Sequence, residues 1–163
     1  GARAHEVVHA GELLLKIPLS ACLTPLSGLE GLPSSVDEQQ KLMLRLLYEI
    51  LVLRVQSRWQ PYFDTLPRHY PTLPLWFEDA EMHMLRGTFV DTLVGRSHIA
   101  SPMELSTLLD WCKSSEWFPS NMAIGESELR WAASVVASRS FESTAAGVIL
   151  APFADALNHS GSS

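Results

Sequence analysis

The feature that most constrains the fold lies near the end of the chain. There an apolar run, Gly147-Val-Ile-Leu-Ala151, passes through Pro152 into a polar cluster of Asp155, Asn158, His159 and Ser160. A short apolar run of this kind suits a buried strand. Polar groups packed at its exit need partners, in the protein or in a ligand. The chain therefore reads as one in which a site opens where the strand ends, with Ser163 falling partway through that site.

The rest of the pattern is strand, long helical block, strand. Glu12–Ile17 is strand-like and stops at Pro18, and a link rich in Pro, Ser and Gly runs to Ser35. Ser35 and Glu38 have the spacing of a capping box. The helix they open is apolar at Leu42, Leu46, Ile50 and Leu53, with a narrow charged stripe of Glu38, Lys41, Arg45 and Glu49. Most of its circumference should be buried, and Arg45 and Glu49 are spaced to pair along the stripe for a few tenths of a kcal/mol. A second helix is expected from about Glu78, interrupted or bent at Gly87. A third opens at Ser101-Pro102-Met-Glu104, buries Leu105, Leu108, Leu109 and Cys112, and is closed by Trp117-Phe-Pro119. A fourth runs from Glu126 to Ser138, and the strand at Val148–Leu150 follows. The architecture expected is α+β, helices interrupting a sheet. No internal repeat suggests a solenoid.

Composition removes several classes of function. With 47% hydrophobic and 18% charged residues among 163, the chain is globular. A net charge of −6 argues against a nucleic-acid footprint, which needs clustered Lys and Arg. It suits a basic protein partner better. Cys22 and Cys112 are too few and too far apart for a zinc site or a disulfide framework. No apolar run approaches the ~20 residues of a membrane helix.

Four segments, in order, resemble the SET-domain protein methyltransferases, and specifically their Rubisco large-subunit methyltransferase-like branch. Gly1-Ala-Arg3-Ala4 with Gly11-Glu-Leu-Leu-Leu-Lys-Ile-Pro18 resembles the opening β-hairpin of that fold. Ser57-Arg-Trp59-Gln-Pro61-Tyr62-Phe-Asp-Thr-Leu66-Pro67, followed by Pro74-Leu-Trp76-Phe77, resembles the branch's insert. Trp131 to Phe141 resembles the helix returning to the cofactor site, and Asp155-Ala-Leu-Asn158-His159-Ser160 its Asn-His motif. The resemblance implies an incomplete SET domain split by a large helical insert. Residues 1–27 would be its N-terminal part, 28–130 the insert, and 131–163 the start of its C-terminal part.

It also implies a cofactor, S-adenosyl-L-methionine, and a protein substrate offering a lysine side chain. Arg3 and Arg139 are candidates for the cofactor's carboxylate, because a guanidinium fork matches two oxygens. Asp155, Asn158 and His159 complete the candidate cofactor-binding set, with Asn158 offering a carbonyl to the cofactor ammonium. Phe141, two places after Arg139, resembles lysine-directed members; a histidine-directed member has a polar residue there. The tyrosine that orients the amine in this family lies beyond Asn-His, and Tyr48, Tyr62 and Tyr70 do not substitute for it. No catalytic residue is therefore assigned. The isolated chain is expected to be inactive and to bind the cofactor weakly or not at all. The alternative is a non-catalytic truncated isoform or interaction module built on the helical insert. The resemblance places the protein inside the cell, in cytoplasm or nucleus, with the chloroplast as a further possibility.

Other chemistries fit poorly. His5, His9, His69, His83 and His98 lack ligand spacing to join Asp155 and His159 on a metal. Ser138 or Ser160 with His159 and Asp155 lacks the surroundings of a hydrolase triad. Trp59, Tyr62, Trp76 and Phe77 read as aromatics packing the insert against the core, and Met82, Met84 and Met103 as core filler.

Overall fold

The computed structural model describes residues 5–28, 30–96 and 102–157. Helices dominate. They are α1 (Glu38–Leu47), α2 (Gln60–Phe63), α3 (Asp79–Leu85), α4 (Phe89–Arg96), α5 (Pro102–Ser114) and α6 (Glu126–Arg139). One antiparallel hairpin follows, β1 (Ser140–Ser143) and β2 (Gly147–Leu150).

Helix α1 starts two residues later than the Ser35 spacing suggests. Val36 is buried, so the chain turns there, and Asp37 caps the helix. The Gln40 amide donates to Asp37 Oδ1 at 2.8 Å, and the Asp37 amide donates back to Gln40 Oε1 at 3.1 Å. Beyond Leu47 the helix widens into a π-helical turn, Tyr48–Leu53, and ends at Arg54 with φ 50°. The expected Arg45–Glu49 pair forms at 2.6 Å, but Glu49 is only 1% exposed. It is a buried ion pair and not part of a solvated stripe. Helix α5 stops at Ser114, ahead of the Trp117-Phe-Pro119 segment.

The core is a sandwich of α1, α5 and α6. Leu42, Leu44, Leu46 and Leu47 of α1 meet Leu129, Ala132, Ala133, Val135 and Val136 of α6, with Leu105, Leu108 and Cys112 from α5. Each fully buried leucine contributes about 1.5–3 kcal/mol. Four of the five tryptophans tie distant segments together through their indole N–H groups. Trp59 donates to Ala21 O, Trp76 to Ser134 Oγ, Trp111 to Glu30 O and Trp131 to Pro67 O. Two of the three methionines expected as core filler lie outside the core, while Met82 is half-buried. Met84 and Met103 are 74% and 78% exposed, because α3 and the start of α5 lie at the surface.

The hairpin pairs Ser140 with Leu150 and Ser143 with Gly147. Gly147 has φ +67°, a left-handed conformation that suits the residue closing a short hairpin loop. On its outer edge β2 receives one further bridge, Leu23 and Leu150 exchanging amide–carbonyl bonds at 2.9 Å. Residues 12–17, expected as a strand, form none. A tight turn does form at Gly11, the Glu12 amide donating to His9 O at 3.1 Å. Among the described residues no strand lies alongside, however, and Leu13 and Leu14 stand 75% and 66% exposed. An extended segment needs a neighbour to satisfy its amides before it counts as a strand.

Candidate functional site

Helix α6 and β1 are contiguous, so Arg139 sits at the junction of helix and hairpin. The pairing of Ser140 with Leu150 brings the exit of β2 back beside that junction. There Pro152 and Phe153 turn the chain into a short 3-10 turn, Ala154–Ala156. The turn is strained: Phe153 has φ 72° and ψ −40°, costing a non-glycine residue about 1–3 kcal/mol. Its product is the placement of Asp155, whose side chain is 3% exposed and lies 2.8 Å from Arg139 Nη1 through Oδ2.

The helical block contributes the second contact. Tyr62, on α2, donates its hydroxyl to the same Asp155 Oδ2 at 3.0 Å. Burial, and then the neighbouring Asp155 charge, push the Tyr62 hydroxyl far above the ordinary tyrosine range, so it remains a donor. Burial also raises Tyr70, opposed by the nearby Arg139 cation. For Arg139 burial alone would lower the pKa, but the hydrogen bond to Asp155 and the nearby Tyr70 outweigh it and hold the side chain cationic. Two atoms here, Tyr70 Oη and Arg139 Nε, are buried without a hydrogen-bond partner among the described residues.

These groups edge a cavity of about 830 Å³. Its walls include Ser20 and Ala21, Arg58, Trp59 and Tyr62, and Phe153, whose ring is 78% exposed. The Arg58 guanidinium lies 4.1 Å from the centre of the Trp59 ring and that of Arg45 lies at 5.4 Å. The volume is that of a small-molecule pocket. Its lining combines aromatic surface with two guanidinium groups, Arg58 and Arg139, and the Asp155 carboxylate, which suits a ligand that carries a flat ring and paired charges. A second hollow, of about 700 Å³, lies under the 25–36 link. Its Lys41 and Glu38 are already paired at 2.7 Å, leaving no comparable set of converging groups.

Of the five candidate residues from sequence, the structure brings Arg139 and Asp155 together. Arg3, Asn158 and His159 lie outside the described residues. Sequence reasoning missed Tyr62 and Tyr70 as part of this cluster. A buried tyrosine hydroxyl does need an acceptor, so Tyr62 in its aromatic surroundings carried a signal. Nothing in the spacing pointed to an aspartate 93 residues on.

No protein-family model matches the chain. In sequence it is 33% identical over 95 residues to the actin-histidine N-methyltransferase of Homo sapiens, covering 54% of this chain and 16% of that protein. It is 36% identical over 106 residues to the N-lysine methyltransferase SETD6 of Mus musculus, covering 58% and 22%. The chain thus matches less than a quarter of the length of these relatives. Among solved structures, the SET domain of LSMT bound to methyl-lysine and AdoHcy superposes with a TM-score of 0.66 at 20% identity, over 89% of this chain and 34% of that one. Rubisco LSMT bound to AdoMet gives 0.57 at 20% identity, over 89% and 34%. By sequence and by fold, the chain is similar to SET-domain methyltransferases.

Proposed function

We propose that this chain is the donor-binding portion of an S-adenosylmethionine-dependent protein methyltransferase of SET type, acting on lysine. The observation that carries the reading is the Arg139–Asp155 pair at the wall of an aromatic cavity, within a fold shared with structures that hold this cofactor or its product. The fit is chemical. S-adenosylmethionine has an adenine for the aromatic wall, a carboxylate for Arg139 and an ammonium for Asp155. Its chemistry is donation of a sulfonium methyl to an amine nitrogen, which loses a proton as S-adenosylhomocysteine departs.

The chain's own groups do positioning work, holding the amino-acid end of the donor so that its methyl points consistently. Arg3, Asn158 and His159 are proposed to complete that hold. Residues 28–130 are proposed as a helical insert between two SET flanks, 1–27 and 131–163. The bridge between Leu23 and Leu150 joins those flanks across the block. Phe141, apolar and partly exposed on β1, supports lysine over histidine as the target. The three tyrosines all lie in the helical block. Tyr48 is stacked edge-on against Trp117 and Phe118, Tyr62 donates to Asp155, and Tyr70 is half-buried near Arg139 with its hydroxyl enclosed.

Photocrosslinking with methyl-tritiated S-adenosylmethionine tests the assignment. Label should enter the peptides around Trp59–Tyr62 and Arg139–Asp155, and excess S-adenosylhomocysteine should prevent it. Label elsewhere, or label that the competitor does not displace, contradicts the reading. A folded chain that takes up no label favours a non-catalytic interaction module.

A further inference from the structure

Donor binding as proposed needs Arg139 and Asp155 but gives no reason for Tyr62 to reach them. We propose that Tyr62 is a positioning residue that acts through Asp155, so that the helical block sets the affinity for the amino-acid end of the donor. The proposal rests on the donor-site reading and adds a dependence which that reading does not contain.

Asp155 lies on a short 3-10 turn after a strained residue, with no long helix or strand to fix its direction. Its contact with Arg139 is through a single oxygen, Oδ2. The terminal torsion of an aspartate is broad, so one such contact leaves the carboxylate plane free to swing. Tyr62 Oη reaches the same oxygen at 3.0 Å from a different element. Two donors converging on Oδ2 from α6 and α2 hold that oxygen from two directions, where one contact holds it from only one. Tyr62 is itself well held: it is 9% exposed, sits in the main core, and packs its ring 5.9 Å from that of Phe63. A carboxylate fixed before the ligand arrives spares the ordering cost at binding. Arg58 contributes the other charge in the cavity wall and is stacked on Trp59.

The test compares two probes on the whole chain by NMR titration, which registers even millimolar binding. S-adenosylmethionine carries the amino-acid end, and 5′-methylthioadenosine lacks it. Tyr62→Phe removes only the hydroxyl. It should weaken S-adenosylmethionine about tenfold, equivalent to about 1.4 kcal/mol, and leave 5′-methylthioadenosine within about twofold. In an Asp155→Ala background the same change should have no further effect, because the acceptor of the Tyr62 hydroxyl has gone. Equal weakening of both probes would assign Tyr62 a general structural role and overturn the proposal, as would no change in either. If the wild-type chain binds neither probe, the donor-site reading itself fails and this proposal falls with it.

Discussion

Replacing Leu150 with alanine tests the claim that β2 anchors the site to the helical core. Leu150 is fully buried, is bridged to Leu23 through its backbone, and packs with α1 in the main core. The change removes three carbons, worth about 2.4 kcal/mol of transfer free energy at ~0.8 kcal/mol each. A cavity remains as well. Helix α1 packs against β2 and is itself held by its packing on α6, so collapse should be partial. A residual void of ~50–80 Å³ adds about 1–2 kcal/mol. The expected loss is therefore about 3–4 kcal/mol, a large part of the ~5–15 kcal/mol that holds a domain together. Urea unfolding followed by far-UV circular dichroism measures it, with an unchanged slope confirming a two-state comparison. Ile149→Ala is the internal control. Its side chain faces the small satellite cluster with Cys22 and Ala151, and should cost less than Leu150→Ala. A loss below about 1 kcal/mol for Leu150→Ala, or a larger loss for Ile149→Ala, would refute the placement of the strand.

Three further outcomes are expected. Asp155→Asn keeps the shape but discharges the acceptor of Arg139 and Tyr62, and should lower stability by about 1.5–3 kcal/mol in the same urea assay. Phe153→Gly removes the left-handed strain from a mostly exposed residue, and should raise the urea midpoint by an amount equivalent to about 1 kcal/mol; a fall would show that the ring contributes packing. Stability should also decline in alkali. Burial holds the Cys112 thiol at about 12 against an ordinary 9.0, so between those values the unfolded chain binds fewer protons than the native one. The stability present below pH ~9 is then lost as pH rises, at up to about 1.4 kcal/mol per unit, with Tyr62 adding to the loss above its ordinary 10.0. Urea midpoints from about pH 8 to pH 10 should fall, and Cys112→Ala should flatten the first part of that slope.

What could be read from sequence followed from local signals. Helices α5 and α6 were legible because Pro102 and Glu126 stand at their starts and apolar residues recur at helical spacing. Strand β2 was legible from its apolar run. Strand β1 was not, since Ser-Phe-Glu-Ser is four residues with one apolar side chain, and only its pairing with β2 makes it a strand. The opposite happened at Glu12–Ile17, where a strand-like composition has no neighbour to pair with among the described residues. Glu49 looked like one charge in a solvated stripe, but the π-helical turn that begins at Tyr48 accompanies its burial. At the site, Arg139 and Asp155 stood out by their place in the family's motifs. Tyr62 lay in the packing aromatics, and its role depends on a tertiary contact that no local pattern encodes.

The measurement that bears most directly on the central claim is NMR titration of the chain with S-adenosylmethionine, alongside Arg139→Lys. A lysine keeps the charge and loses the planar fork. The account predicts saturable binding, shift changes concentrated at Trp59, Tyr62, Arg139 and Phe153–Ala156, and weakening of tenfold or more in the variant, about 1.4 kcal/mol or above. Binding that leaves those residues unmoved, or that the variant retains in full, would contradict it.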